Sequence, residues 1–217
     1  MKLDFSRVIT NMCWVASLFS KERGSVRIFV TVVFLGLAQF AAGAATPLSA
    51  DVFVSVPDQT LALIDHGKLL ARYPISTSKF GNGDSAASYR TPLGTLFVSA
   101  KIGDRLPPGA VIKNRIPTGE VVGVDAPGRD AIVARVIWLR GMETQNQKAR
   151  DRCIYIHGTP EERRIGKPAS FGCIRMRSRD IIDLYDRVHI GTHVTITLRR
   201  IDSLVKPEEP SLLARSD

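Results

Sequence analysis

Two residues of this sequence, His157 and Cys173, are of the types that carry nucleophilic catalysis, and Cys173 follows His157 by sixteen positions. A cysteine attacks a carbonyl carbon as its thiolate. With an ordinary pKa of about 8.5, it needs a neighbouring base to reach that form at neutral pH. An imidazole can take the thiol proton and later pass it to a leaving group. The pair therefore predicts acyl transfer through a cysteine nucleophile.

The residues around the pair favour catalysis over a structural role. His157 and Gly158 end an apolar run that is typical of a strand, and Cys173 lies in the segment SFGCIRM at residues 170–176. A buried inert thiol and a core histidine are the ordinary alternative. That alternative leaves Gly172 before the cysteine and Arg175 after it unexplained, so we interpret Cys173 as the nucleophile.

The other cysteines leave one alternative open. Cys13 lies in the amino-terminal region, and Cys153 begins an apolar strand pattern. In an oxidising compartment a disulfide between Cys153 and Cys173 is one interpretation of the pair. The other is that Cys153 is a free, inert thiol without a catalytic role.

The histidines do not form a metal-binding pattern. The four of them are His66, His157, His189 and His193. None lies at the close spacing of common zinc sites from a cysteine or another histidine, apart from His189 and His193. A predicted helix end separates these two. We therefore expect neither a metal nor another cofactor.

The His-Gly pair followed by SFGCIRM resembles the signature of the L,D-transpeptidase, or YkuD-like, catalytic domain. Residues 69–75 and the Thr-Pro-Leu-Gly run at residues 91–94 also resemble that family, so the likeness covers roughly residues 51–199. The resemblance implies a mostly β, β-sandwich-like fold with one main helix after the catalytic loop. It also implies that Cys173 is the nucleophile and His157 its base.

Further site residues follow from the same resemblance. Ser170 would help to orient His157, and the main-chain carbonyl of Gly158 would fix the tautomer of the ring. Backbone amides around Gly172 and Cys173 would stabilise the oxyanion of the tetrahedral intermediate.

Two neighbours of the nucleophile have open roles. Arg175 would either bind a carboxylate of the substrate or brace the loop. Phe171 stands where the family often has histidine, and it is either a floor for the substrate or, as we favour, a packed core residue.

The resemblance implies peptidoglycan stem peptides as partners. After a thioester forms on Cys173, the acceptor would be the amine of another stem, an amine of a wall-attached lipoprotein, or water. Transfer to the first two would make 3,3 cross-links or tethered proteins, whereas water would make the enzyme an L,D-carboxypeptidase or hydrolase. A non-catalytic wall-binding module is the alternative of another class.

The elements that must position these residues are mostly strands. The His66-Gly67 pair between two apolar runs predicts a hairpin turn, and residues 76–90 predict a loop. A helix is predicted with Ser178 as its cap and a stop near Gly191. Further strands are predicted at residues 95–98, 120–124, 131–139, 153–157 and 193–198.

The two ends of the chain predict its compartment. A basic flank, an apolar run over residues 28–45 and small residues at its end predict that residues 1–45 are a secretory signal peptide or a retained membrane anchor. The catalytic domain at 51–200 is then exported to the periplasm or cell envelope. The protein would contact the membrane only through its amino-terminal segment. Residues 201–217 are expected to form a flexible tail.

The net charge of +9 does not indicate nucleic-acid binding, because no basic stripe with interleaved aromatic residues is present. A mildly basic exported domain instead favours anionic partners such as wall polymers.

Overall fold

The computed structural model describes residues 50–205. The predicted signal or anchor, Cys13 and the last twelve residues of the predicted tail lie outside this range. Among residues 50–205, no helix combines the length and the apolar character that crossing a membrane requires.

The described chain is built from ten strands and one α-helix, which confirms the mostly β prediction. The strands are β1 (Asp51–Ser55), β2 (Thr60–Asp65), β3 (Lys68–Pro74), β4 (Gly94–Ile102), β5 (Ala110–Lys113), β6 (Ile116–Val121), β7 (Val133–Gly141), β8 (Tyr155–Gly158), β9 (Ile174–Met176) and β10 (His193–Thr197). The helix α1 spans Ser178–Arg187. Short 3-10 turns occur at Thr144–Asn146, Glu162–Arg164 and Ile201–Ser203.

One mixed sheet connects all ten strands in the order β3-β2-β1-β10-β4-β7-β5-β6, and β8 and β9 branch from β7. Most neighbours are antiparallel, but β1 pairs with β10 and β8 pairs with β9 in parallel. The β8–β9 pair matters most for the candidate site, because His157 lies in β8 and Cys173 directly precedes β9.

The main core lies on one face of the sheet. Alternate residues of the strands, such as Ile156 and Ile174, point into it, and α1 covers it with Ile181 and Leu184. All four side chains are essentially inaccessible to water. The alternation of strand side chains sends their neighbours His157, Cys173 and Arg175 to the opposite face.

The hairpin predicted at His66-Gly67 is confirmed, since these two residues join β2 to β3. Both have positive φ angles of 50° and 86°, as a tight two-residue turn requires. The strand predicted at residues 120–124 is displaced, because β6 ends at Val121 and the chain then turns.

The N-cap of the helix lies one residue earlier than predicted. Arg177 is the N-cap residue and makes no side-chain capping bond, while Ser178 is the first helical residue. The amide of Ser178 instead donates to the Glu162 carboxylate at 2.9 Å. A distant acidic side chain therefore replaces the local cap, and local sequence could not indicate that.

The start of the predicted tail is part of the fold. Ile201 is only 1% exposed, and with Leu204 and Val205 it packs against Ala62 and Ile64 of β2. This apolar cluster covers the outer face of the sheet near β1 and β2, so the domain continues at least to Val205.

Candidate active site

The parallel pairing of β8 with β9 brings the two candidate catalytic residues together. Ile156 is opposite Ile174 and His157 is opposite Arg175. Continuing this register by one residue places Cys173 opposite Tyr155, whose N–H lies 3.5 Å from the Cys173 Sγ. Because side chains alternate along a strand, His157 and Cys173 lie on the same face of the sheet as diagonal neighbours.

Gly158 allows β8 to lie close to β7. A Cβ atom at this position would come within 2.5 Å of the Val133 carbonyl oxygen, closer than any side chain tolerates. β7 contains an irregularity between Val133 and Val136, which shifts its register against β8 at this point. The glycine therefore permits the strand approach that positions His157.

A main-chain contact fixes the tautomer of His157. Its Nδ1 lies 2.9 Å from the Gly158 carbonyl oxygen, which can only accept a hydrogen bond, so Nδ1 carries the proton and Nε2 is left as the base. Burial lowers the pKa of His157 to about 4, the Gly158 hydrogen bond opposes that shift, and the nearby Arg175 charge adds to it. The imidazole is therefore neutral at pH 7.

The thiol of Cys173 is partly buried and protonated at rest. It donates toward the Cys153 carbonyl oxygen at 3.4 Å. Burial raises the pKa of Cys173 to about 11, although the Tyr155 N–H and the Arg175 charge act in the opposite direction. At rest the S–H points to the Cys153 carbonyl oxygen, so general-base transfer of its proton to His157 requires the S–H to turn toward the imidazole.

The loop before Cys173 is fixed by a network of hydrogen bonds. The hydroxyl of Ser170 donates to the Cys173 carbonyl oxygen at 2.6 Å and accepts from the Gly172 amide at 3.2 Å. The hydroxyl of Thr91 donates to the Gly172 carbonyl oxygen at 3.0 Å. Gly172 has a φ of 120°, a region that residues with a Cβ rarely occupy.

The structure thus places Ser170 against the loop backbone, whereas the sequence interpretation expected it to orient His157. Within residues 50–205, the hydrogen bond of the His157 ring runs to Gly158. Ser170 instead fixes the backbone that carries Cys173.

Arg175 is engaged inside the protein. Its guanidinium is buried and pairs with the Asp130 carboxylate and, at 3.1 Å, with Glu161. Its backbone N–H and carbonyl oxygen both bond to Ser76 at 2.9 Å. Of the two roles that the sequence left open for Arg175, these contacts match bracing of the loop.

Phe171 is not a core residue, so that expectation was wrong. Its side chain is 52% exposed and packs against two other exposed rings, Phe80 and Tyr89, with ring centroids 5.6 and 5.9 Å away. The side chain of Phe171 lies at the surface, whereas the next residue, Gly172, is buried.

Cys153 and Cys173 are both free thiols, so the disulfide interpretation does not match the structure. Cys153 has a φ of 55° and lies two residues before β8 begins, so it is not part of that strand. Its carbonyl oxygen accepts the hydrogen bond of the Cys173 thiol.

Several residues that support the site were not selected from the sequence. Asp130 and Glu161 hold Arg175, Ser76 pairs with its backbone, and Thr91 holds the loop. For Thr91 a signal was present, since it opens the Thr-Pro-Leu-Gly run. The acidic partners lie 45 and 14 positions from Arg175, and no local pattern indicates such pairs.

Comparison with known proteins identifies a family for this chain. Residues 49–196 match the family model of the L,D-transpeptidase catalytic domain, YkuD. The chain is similar to a Bacillus subtilis (strain 168) protein named "Putative L,D-transpeptidase YqjB". The two are 27% identical over 178 residues, which cover 79% of this chain and 86% of the relative.

L,D-transpeptidases are among the solved structures that match this chain. One from Mycobacterium smegmatis is 20% identical, with a TM-score of 0.45 over 69% of this chain and 58% of that chain. L,D-transpeptidase 3 from Mycobacterium tuberculosis, in complex with a faropenem-derived adduct, is 18% identical, with a TM-score of 0.44 over 69% and 60%. This chain thus spans about three fifths of those two proteins.

The match to the family model covers well over half of the chain and includes His157 and the whole SFGCIRM segment. This chain therefore belongs to the L,D-transpeptidase (YkuD) catalytic domain family.

Proposed function

We propose that this enzyme is an exported cysteine acyltransferase that acts on peptidoglycan stem peptides through a thioester on Cys173. One observation carries the proposal: the parallel β8–β9 pair puts a thiol and a base-competent imidazole on one face of the sheet. The family match supplies the reaction class, L,D-transpeptidation.

In the first step the Cys173 Sγ attacks the carbonyl carbon of the L-centre of the third stem residue, and His157 Nε2 takes the thiol proton. The negative charge that develops on the carbonyl oxygen is stabilised by a backbone amide of the loop. We assign this role to the Cys173 amide, because the Gly172 amide is already bonded to Ser170. The C–N bond to D-alanine then breaks, and the leaving amine receives the proton from His157.

In the second step an amine resolves the thioester. The acceptor nitrogen attacks the thioester carbon, His157 accepts a proton from it, and the C–S bond breaks as the sulfur regains a proton. With the amine of another stem as acceptor, the product is a 3,3 cross-link. With an amine of a lipoprotein the product is a tethered protein, and with water it is a shortened stem.

Export belongs to the same proposal. The basic flank and apolar run of residues 1–45 are typical of a signal or anchor, and the substrate exists only outside the cytoplasmic membrane as a polymer. Fractionation of cells that express a tagged full chain tests this point. Recovery of the protein in the envelope or periplasm is expected, and recovery in the cytoplasm contradicts it.

Analysis of muropeptides after incubation with purified protein tests the reaction. New dimers linked between third residues are expected for transfer, whereas shortened stems alone identify a hydrolase. Cys173→Ala should abolish both products while it spares the fold. Unchanged stems with the native protein would instead favour a non-catalytic wall-binding module.

A further inference from the structure

A lysine lies directly beside the catalytic loop. The backbone N–H of Lys79 donates to the Ser170 carbonyl oxygen at 3.2 Å, next to a bridge between Ser78 and Ser170. Ser78 is itself held by Thr91, which also bonds Gly172. The position of Lys79 is therefore coupled to the segment that carries the nucleophile.

Aromatic rings hold the side chain of Lys79. Its Nζ lies 4.3 Å from the centroid of the Phe171 ring and 5.2 Å from that of Phe80. The ring faces attract a cation through their quadrupole, so the ammonium is positioned before any ligand arrives. Phe171 takes this role at the position where the family often has histidine.

The cation of Lys79 has no acidic partner within residues 50–205, and its side chain is exposed. It lines a cavity of about 300 Å³ together with Arg163, Arg164, Lys167, Pro168 and Ala169. Arg163 and Arg164 are paired with Asp125 and Glu161, respectively. Lys167, like Lys79, makes no ion pair in the described range, so the cavity carries an excess of positive charge.

The substrate carboxylates need a cation that is available at the site. Arg175 is buried and already binds Asp130 and Glu161, so accepting a third carboxylate would require it to release one of them. Lys79 carries a charge that is exposed, held in place and unneutralised. Charge complementarity therefore favours an anionic ligand at this cavity.

We propose that Lys79, clasped by Phe171 and Phe80 and assisted by Lys167, binds a free carboxylate of the donor stem peptide and so determines substrate specificity. The proposal rests on the proposed function, because it concerns the donor of that reaction. It assigns to Phe171 an indirect role, which is to position the ammonium rather than to contact the reacting atoms.

Donor specificity tests the proposal. The probes are a tetrapeptide stem with its carboxylates free and a series in which each carboxylate is converted, one at a time, to a primary amide. Release of D-alanine gives kcat/KM for each donor with the full-length protein, Lys79→Met and Lys79→Arg. Lys68→Met is the matched control, because Lys68 is an exposed lysine at the start of β3.

Lys79→Met should lower kcat/KM about five-fold for the free stem, mainly through KM, while one amidated donor loses its sensitivity to this change. Lys79→Arg and Phe171→Tyr should keep the preference, whereas Phe171→Leu should weaken it. If turnover is measurable and Lys79→Met changes kcat/KM equally for every donor, or changes it for no donor, the carboxylate assignment is overturned. Absence of turnover with any donor in the native protein would overturn the proposed function and this inference together.

Discussion

At the scale of single residues, burial sets the protonation states of the proposed catalytic pair. It lowers the pKa of His157 and raises that of Cys173, so both groups are neutral at rest. An ion pair of thiolate and imidazolium would place one charge on the buried His157 and one on the partly buried Cys173, which is costly without further partners. The neutral pair avoids that cost and delays charge separation until the substrate carbonyl is in place.

The pH dependence of acylation follows from these two values. With the pKa of His157 at about 4, kcat/KM should stay level from neutral pH down to about pH 5 and fall as the imidazole takes up a proton near pH 4. On the alkaline side, thiol ionisation begins only toward pH 11. A pH profile of kcat/KM for D-alanine release checks this, and an acidic inflection near the ordinary histidine value of about 6.5 would contradict it.

The free energy of unfolding should also depend on pH through the pKa of His157. The pKa of His157 is lower in the folded chain than in the unfolded chain. The contribution of the neutral His157 to stability is therefore complete above about pH 6.5 and is lost as the pH falls toward 4. We expect the free energy of unfolding, measured with urea, to decline over that interval. His157→Gln should flatten this part of the curve, and an unchanged slope would show that other groups cause it.

Substitution of Arg175 can distinguish its two candidate roles, which are bracing of the loop and binding of a substrate carboxylate. Arg175→Met removes a buried guanidinium from Asp130 and Glu161, and we expect the free energy of unfolding to fall by about 3 kcal/mol. Arg175→Lys keeps the charge but cannot reach both carboxylates, so it should recover only part of the loss. A variant with native stability and a raised KM would show instead that Arg175 serves the substrate.

Residue types and spacing proposed Cys173, His157 and their glycine neighbours, and the structure places Cys173 and His157 on one face of the sheet. They could not reveal the partners of Arg175, because ion pairs between distant segments leave no periodic trace in the sequence. They also misplaced Phe171, since composition favours buried phenylalanine and only the loop geometry turns this ring outward.

At the scale of elements, the proposed nucleophile lies at the end of a loop that neighbouring segments hold. Thr91 joins them: its hydroxyl donates to Gly172 and accepts from the Ser78 amide, each at 3.0 Å. The Thr-Pro-Leu-Gly run therefore contributes to the site through structure, although none of its side chains takes part in the proposed chemistry.

Replacing that hydroxyl should impair the loop. Thr91→Val keeps the shape but leaves a buried donor and acceptor without partners, so we expect a loss of about 2 kcal/mol in the free energy of unfolding and a lower kcat. Urea unfolding and D-alanine release measure the two effects. Thr91→Ser should retain most of both, and native values for Thr91→Val would mean that the loop is held by other contacts.

Element prediction succeeded where turn and capping signals were local. The β2–β3 hairpin has a His-Gly pair, but the β5–β6 hairpin turns at Asn114 and Arg115, both with positive φ. Arginine stands there in place of the glycine that favours such turns, so the signal was weak. The strand β6 is also exposed at every residue and therefore lacks an apolar alternation to detect.

At the scale of the whole molecule, the two ends of the described chain meet in the sheet. β10 lies between β1 and β4, pairing in parallel with the first and antiparallel with the second. Such long-range pairing cannot be inferred from local patterns. We therefore expect the sheet that carries the candidate site to depend on its last strand.

Removal of this strand should therefore abolish folding. We expect a chain that ends at Thr192 to lose cooperative unfolding and its near-ultraviolet circular dichroism, because the apolar side chains of β1 and β4 lose their central neighbour. A chain that ends at Val205 keeps all described elements and is the matched control. Cooperative unfolding of the shorter chain would contradict the view that the sheet forms as one unit.

The most direct test of the catalytic assignment is the intact mass of the enzyme during turnover of a tetrapeptide donor, followed by mapping of the modified peptide. We predict an acyl adduct that has lost D-alanine and resides on Cys173, absent from Cys173→Ala and formed far more slowly by His157→Gln. Full turnover by Cys173→Ala, or an adduct on Cys153, would contradict the account.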